Sequence, residues 1–305
     1  MGVGVTARAS SIMHAHTTFA GDPRSTVAVS WYSEASNGFA VYYGVHTSGL
    51  APAGPGEIMT NWSGYAHHAV LTNLMADTRY VYVIAGPAHS VTGGFRTAPS
   101  GAASYTFGVV GDVQGKEAES SAWRDAGRWL VSQDVAFAVL MGDLVDNGSS
   151  QTYWNAFYQS APELMRSTVL MPVLGNHDYY GGVQHYLSQF RLPPDAAGYT
   201  VADGARSAGR WYALTYGGAH FAVLDTEMND AALQVTQSLW LASLDVASSQ
   251  WRMAFMHTPV YTSGRVASGV ARDVWAPNYF YPRGAHMVFN GHSHQLECTL
   301  PVQRA

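Results

Sequence analysis

Five short segments of this chain combine Asp, Asn, Gln and His side chains in a way that suits metal binding. They are Gly111-Asp112-Val113-Gln114, Gly142-Asp143, Gly175-Asn176-His177-Asp178, Met256-His257 and Gly291-His292-Ser293-His294. Hard carboxylate and amide oxygens together with imidazole nitrogens suit manganese, iron or zinc, whereas an all-oxygen cage would point to magnesium or calcium. Asp112, Asp143, His177, His257, His292 and His294 each stand a few residues past a run of apolar, strand-like residues. An open α/β sheet places its ligand crevice there, and a strand end is rigid enough to hold a ligand atom. One Gly-Asp turn alone would read as a turn or a helix cap; five such segments converging on one sheet edge would build a site for two metal ions. His292 and His294, two apart on what reads as an extended segment, would project from the same side, each toward a different ion.

The elements that must position these residues fall into two halves. Residues 25–97 read as short β-rich runs separated by Gly, Ser, Asn and Pro, with strands at 26–32, 39–43, 67–74, 80–84 and 91–97 and no useful helical period. A small β-sandwich is expected there, with a boundary near residue 100, where Ala98-Pro99-Ser100-Gly101-Ala102-Ala103 reads as a linker. Strands and helices then alternate. Strands are expected at 105–110, 135–141, 169–174 and 252–256, a hairpin at 211–216 with 220–224, and a last strand at 286–290. Helices are expected at 118–132, 152–165 and 232–246, and the alternation argues for a layered α/β domain over residues 101–305.

Composition bounds the function. The chain has 305 residues, 47 % hydrophobic and 12 % charged, which implies a well-buried core. A net charge of −5 and a single lysine, Lys116, give little electrostatic support for binding a nucleic-acid backbone. Cys298 is the only cysteine, so an internal disulfide and a cysteine-rich zinc site are excluded. No uninterrupted apolar stretch suits a membrane span, and the residues after Met1 lack the pattern of a secretion signal.

The ligand series and its order resemble the calcineurin-like metallophosphoesterases, and the preceding β-half makes the purple acid phosphatase-like branch the nearest comparison. The resemblance extends over nearly the whole chain, including Leu74 to Tyr82, which is similar to the corner of fibronectin type III domains where a tyrosine hydroxyl bonds back to the backbone. The alternative for Tyr80 is an ordinary strand aromatic. The resemblance implies a fibronectin type III-like all-β sandwich, residues 1–100, followed by a four-layer α-β-β-α metallophosphoesterase domain. It also implies that Asp143 bridges two ions, that Asp112 and His294 hold the first, and that Asn176, His257 and His292 hold the second. An exported location is implied by the branch alone.

Two positions depart from the purple acid phosphatase pattern. That pattern has an iron-binding, colour-giving tyrosine three residues after the bridging aspartate; here the position is Asp146. Gly142 to Asp146 is instead similar to the phosphoprotein phosphatases, whose second aspartate holds the histidine of Gly-Asn-His. Asp146 would then orient His177 and favour its protonated form, with Asp178 as the competing partner or a turn residue. The second departure is Gln114, where many relatives carry a metal-binding histidine. Its carbonyl is expected either to bind the first ion or to make a hydrogen bond beside it.

The implied reaction is hydrolysis of a small phosphate ester, monoesters ahead of diesters. Two ions roughly 3.5–4 Å apart would share a water and clamp the phosphoryl oxygens during in-line attack, with His177 as general acid. Tyr179, Tyr180 and Tyr261 are candidate walls for the ester's organic group, or else packing and surface aromatics. His14, His16, His67 and His68 are expected to be exposed or core-satisfied histidines and His220 to be structural, none of them a metal ligand. The rival reading, from another class, is a catalytically inactive binding or adhesion protein. Past His294, Leu296-Glu297-Cys298-Thr299-Leu300-Pro301-Val302 resembles the start of further strands of the second sheet, and a shortened sheet would expose an apolar edge.

Overall fold

Residues 11–62, 64–115, 120–194, 209–264 and 267–302 are described by the computed structural model. Alternating apolar and small polar residues form the first half: β1 (Met13–Phe19), β2 (Val27–Ser33), β3 (Ala40–Gly44), β4 (Ala51–Pro52), β5 (Glu57–Asn61), β6 (Gly64–Leu71), β7 (Arg79–Ala85) and β8 (Ser90–Arg96). They make two facing layers, β5-β6-β2-β1 and β4-β3-β7-β8. Val27, Val29, Trp31, Ile84, Tyr82 and Phe95 fill the space between them. The Tyr80 hydroxyl accepts the Met75 amide at 2.9 Å, so the tyrosine corner forms.

The sandwich is not a separate bead. β1 pairs in parallel with β11 (Val169–Pro172) through Thr17 with Val169 and Thr18 with Leu170. One seven-stranded sheet therefore runs β5-β6-β2-β1-β11-β10-β9, continuing through β10 (Phe137–Leu140) into β9 (Gly108–Val110). The position 100/101 lies in irregular chain between β8 and β9, while the hydrogen-bonded sheet crosses it. Helices cover the outer face, which is why every residue of β2 is buried although its sequence alternates. β1 was not expected from sequence, because Met13-His14-Ala15-His16-Thr17-Thr18 puts polar residues at positions that those helices bury.

The second half supplies the remaining layers. α1 (Ser121–Ser132) begins where the Ser120 hydroxyl accepts the Trp123 amide at 3.2 Å. The single helix expected at 152–165 is two: α2 (Gln151–Ser160) and α3 (Pro162–Ser167). Pro162 has no N–H to continue a helix and drives Ala161 out of helical conformation, to φ −128 and ψ 52. α4 (Gln184–Gln189) was too short to show a period. The second sheet runs β12-β13-β14-β15, from β12 (Tyr212–Tyr216) through β13 (Ala219–Val223) and β14 (Trp251–Phe255) to β15 (Met287–Phe289). Its inner face meets the first sheet through Phe107, Phe137, Phe221, Phe255 and Phe289. Its outer face, with Ala222, Ala254 and Met256, packs under α5 (Ala231–Ser243) and a π-helical turn pair, Ala271–Phe280, which sequence periodicity did not show. The four-layer α/β arrangement expected beside the sandwich is thus present. β15 lies at a sheet edge with Met287 exposed, and Leu296 and Leu300 beyond it are exposed as well.

Because β1 and the helices on its outer face are buried together, a fragment of residues 101–305 is expected to lose the cooperative thermal unfolding of the whole chain. Circular dichroism melting checks this, and an equally sharp transition in the fragment would contradict it.

Candidate metal centre

Glycine makes the convergence of the loops possible. A Cβ on Gly175 would lie 2.1 Å from the Asp143 nitrogen and 2.3 Å from its Oδ1, and one on Gly142, at φ +83, would lie 2.6 Å from His257 Nδ1. No larger residue fits either place. Asp112, Asp143, His292 and His294 all adopt positive φ, between 50° and 68°. Four non-glycine residues held in that sparsely populated region cost free energy that the surrounding packing must offset.

Asp143 is at the centre and is 1 % exposed. Its Oδ1 accepts the His177 amide at 2.9 Å; its Oδ2 lies 3.3 Å from His257 Nε2 and 3.9 Å from His177 Nε2. Two candidate ligand groups share it: Asp143 with His257 and His292, and Asp112 with Asp143 and His294, each with its atoms within 4.8 Å of one another. Asn176 Oδ1 sits beside the former, 3.2 Å from His257 Nε2 and 3.0 Å from His292 Nδ1. Asp112 accepts the His292 amide at 3.0 Å on both oxygens and faces His294 Nε2 at 3.3 Å. His292 and His294 are not on an extended segment as expected. They flank a tight turn in which the Ser293 amide bonds Gly291 O at 2.8 Å, and left-handed backbone rather than strand alternation sends each to its own group.

The electrostatics of the pocket call for positive charge. The His257 Nδ1–H donates to Met141 O at 2.8 Å, which leaves Nε2 facing Asp143 and Asn176 oxygens. Burial works to lower the His257 pKa, but the Asp143 carboxylate outweighs it and raises it to about 9. Burial pulls Asp143 upward, yet His257 and the His177 amide hold it below its ordinary value. Asp112 is raised by burial, with the Asp143 charge adding to the effect. His292 is lowered by burial, then by the neighbouring His257. Gln114 Oε1 is buried with no hydrogen-bond partner, while its Nε2 lies 3.4 Å from Asp143 Oδ2. Two carboxylates, three imidazoles and two amide oxygens, one of them without a hydrogen-bond partner, form a donor set that fits cations.

His177 stands at the rim, a quarter exposed. Its Nδ1–H donates to the backbone carbonyl of Asp146 at 2.9 Å, with the Asp146 carboxylate 3.4 Å away, so Nε2 is turned toward the ligand groups. Asp178 does not serve His177. It is fully buried and accepts the amides of Gly175 at 2.9 Å, Leu144 at 3.0 Å and Val145 at 3.3 Å, bracing two ligand loops. Burial, then the Asp143 charge, pushes its carboxyl up to about 7. Tyr180 packs against His177 with ring centroids 4.8 Å apart, and Tyr261 pairs with Tyr281 through hydroxyls 2.6 Å apart. Tyr179 instead turns inward, donating to Asp225 and accepting from Arg210.

The five histidines not expected to bind metal lie outside both ligand groups. His14 meets Asn155 Oδ1 at 2.6 Å, His16 donates to His14 O at 2.6 Å, and His67 meets Ser33 Oγ at 2.8 Å. His68 spans Ser30 and Ser188, and His220 is buried in β13. Sequence reasoning missed Glu227, whose Oε1 accepts the Thr258 hydroxyl at 2.6 Å behind His257. Its signal was available, since Asp225-Thr226-Glu227 follows β13 at the same edge as the other loops.

Residues 105–296 match the model of the calcineurin-like phosphoesterase family. The chain belongs to that family. Residues 12–97 match the purple acid phosphatase N-terminal domain. Over 304 residues it is 28 % identical to phosphoenolpyruvate phosphatase of Allium cepa, covering 89 % of this chain and 59 % of that one. Probable purple acid phosphatase 20 of Arabidopsis thaliana is 24 % identical over 290 residues, covering 88 % and 65 %. The chain therefore spans about three-fifths of the length of the curated relatives it matches. Among solved structures, purple acid phosphatase PPD1 from yellow lupin (Lupinus luteus) seeds superposes with a TM-score of 0.68 at 15 % identity, covering 93 % of this chain and 58 % of that one. PhoD superposes at 0.59 and 12 % identity, covering 86 % and 64 %. Both are likenesses of fold.

Replacing Asp178 with Ala would strand three buried amides, each costing ~1–3 kcal/mol. The Asp178→Ala variant is expected to melt several degrees lower and to hold metal weakly, as calorimetry and metal analysis would register; a wild-type melting temperature would contradict the bracing role.

Proposed function

We propose that this chain hydrolyses small phosphate esters, monoesters ahead of diesters, at a two-metal centre spanned by Asp143, with His177 as general acid. The observation that carries the reading is that one buried carboxylate belongs to both ligand groups while a rim histidine points its free nitrogen at them. Asp112, His294 and Gln114 would hold one ion, and Asn176, His257 and His292 the other. A bound ion pair supplies Lewis-acid activation of water and neutralises charge on the phosphoryl oxygens.

The residues do the rest. The buried Asp143 carboxylate, anchored by the His177 amide, fixes the separation between the two ligand groups. The Met141 carbonyl sets the tautomer of His257, so that its Nε2 faces the centre. The Asp146 carbonyl fixes the ring of His177, and the Asp146 carboxylate lies 3.4 Å from the same nitrogen. His177 Nε2 then donates a proton to the oxygen of the departing alcohol, a contribution of about 10²–10⁴-fold. Exposed Tyr180 beside His177 would line the path of that alcohol.

The choice among iron, manganese and zinc rests on the donor set; a related Arabidopsis protein is named an Fe(3+)-Zn(2+) purple acid phosphatase. Monoesters are favoured because the names of the related proteins are those of phosphatases. An exported location is our reading of the purple acid phosphatase-like branch, and no helix of the described residues is long and apolar enough to cross a membrane. Since Asp146 stands where the colour-giving tyrosine is found, iron-loaded protein is expected to be colourless; a strong visible charge-transfer band would contradict this.

A screen of mono- and diesters with manganese, zinc or iron tests the whole reading. Asp143→Ala is expected to lose bound metal and activity together. His177→Ala is expected to keep its metal and lose about 10²–10⁴-fold in kcat. A wild-type chain that binds fewer than two metals and hydrolyses none of the esters would favour the inactive binding protein instead.

A further inference from the structure

The end of β5 and the residue after it, Asn61-Trp62, bring the sandwich against the loop beside the metal centre. Trp62 has φ 47, a conformation a bulky residue adopts only when its surroundings impose it. Two contacts supply that constraint. The indole stacks on His185 at the start of α4, with centroids 4.0 Å apart and planes 7° from parallel, while His185 Nδ1 meets Asn61 Oδ1 at 2.6 Å. The indole Nε1–H donates to the carbonyl of Ser149 at 3.0 Å.

Ser149 belongs to the loop that aims His177. Asn147 Oδ1 accepts the Ser149 amide at 3.0 Å and hydroxyl at 2.8 Å, and the Gly148 amide donates to the His177 carbonyl at 3.0 Å. The two loops are pressed together so closely that a Cβ on Gly148 would lie 2.0 Å from Asp178 O, and one on Gly181 would lie 2.2 Å from Ser149 Cβ. Asp146, three residues before Ser149, provides the carbonyl that holds His177 Nδ1. Ser149 itself is exposed, while the Gly148 carbonyl beside it accepts the Trp154 indole N–H at 2.9 Å.

We propose that Trp62 is a positioning residue for the reaction: through its hydrogen bond to Ser149 the β-sandwich sets the aim of His177. This rests on the reading of His177 as general acid. If Trp62 only glued the two halves together, its loss would lower stability, or lower the rate for every substrate alike. Acting through the acid, its loss should matter only where the leaving group needs a proton.

The test is a leaving-group series of phosphomonoesters, from nitrophenyl to primary alkyl, on the metal-loaded full chain. Trp62→Phe keeps a ring for His185 and removes the N–H donor. Its kcat is expected to fall by about tenfold or more for the alkyl ester and less than about twofold for the nitrophenyl ester, within the general-acid range and with metal content and KM unchanged. His177→Ala should show the same trend, more steeply, and adding Trp62→Phe to it should lower kcat no further. A uniform fall, an unchanged series or an additive double variant overturns the role of Trp62. A series that tilts for His177→Ala but not for Trp62→Phe overturns that role alone; one that is flat for both removes the acid assignment as well. If Trp62→Phe does not fold, Trp62→Leu takes its place in the same series.

Discussion

A carboxylate buried to 1 % exposure cannot be left without compensating positive charge, and Asp143 is such a group. Around it the fold places His257 at 3.3 Å, the His177 amide at 2.9 Å and the Gln114 amide at 3.4 Å. The Asp143 carboxylate in turn raises the His257 pKa to about 9 despite its burial. Four residues at positive φ and the close approach at Gly175 are the cost of bringing five loops to one point.

The layers exist to hold those loops still. β9, β10 and β11 deliver Asp112, Asp143 and Asn176 from one sheet, and β14 and β15 deliver His257, His292 and His294 from the other. The phenylalanines between the sheets fix their separation, and Asp178 ties the Asp143 loop to the Gly175 loop by backbone hydrogen bonds. The sandwich shares the first sheet through β1 and β11, so rigidity passes across the junction rather than ending at a linker.

Much of this was legible in the residues. Strand ends announced themselves by apolar runs followed by Gly-Asp or Gly-Asn, and in the structure the loops after them meet at two candidate ligand groups. What periodicity did not show had physical causes. β1 carries His and Thr because both its faces are covered, and helix 152–165 is split by Pro162. The Gly291 to His294 segment mimics a strand by spacing but is a turn. Backbone acceptors such as Met141 O and Asp146 O leave no mark on sequence, since any residue can provide a carbonyl. Trp62 was hidden for a related reason: its meaning lies in a loop distant in sequence.

The central claim is that two cations flank Asp143. Anomalous diffraction from crystals of the chain soaked in manganese or zinc tests it most directly. The account predicts two peaks, one within bonding distance of Asp112, Asp143 and His294 and the other of Asp143, Asn176, His257 and His292. A single peak, or peaks that do not share the Asp143 carboxylate, would contradict it.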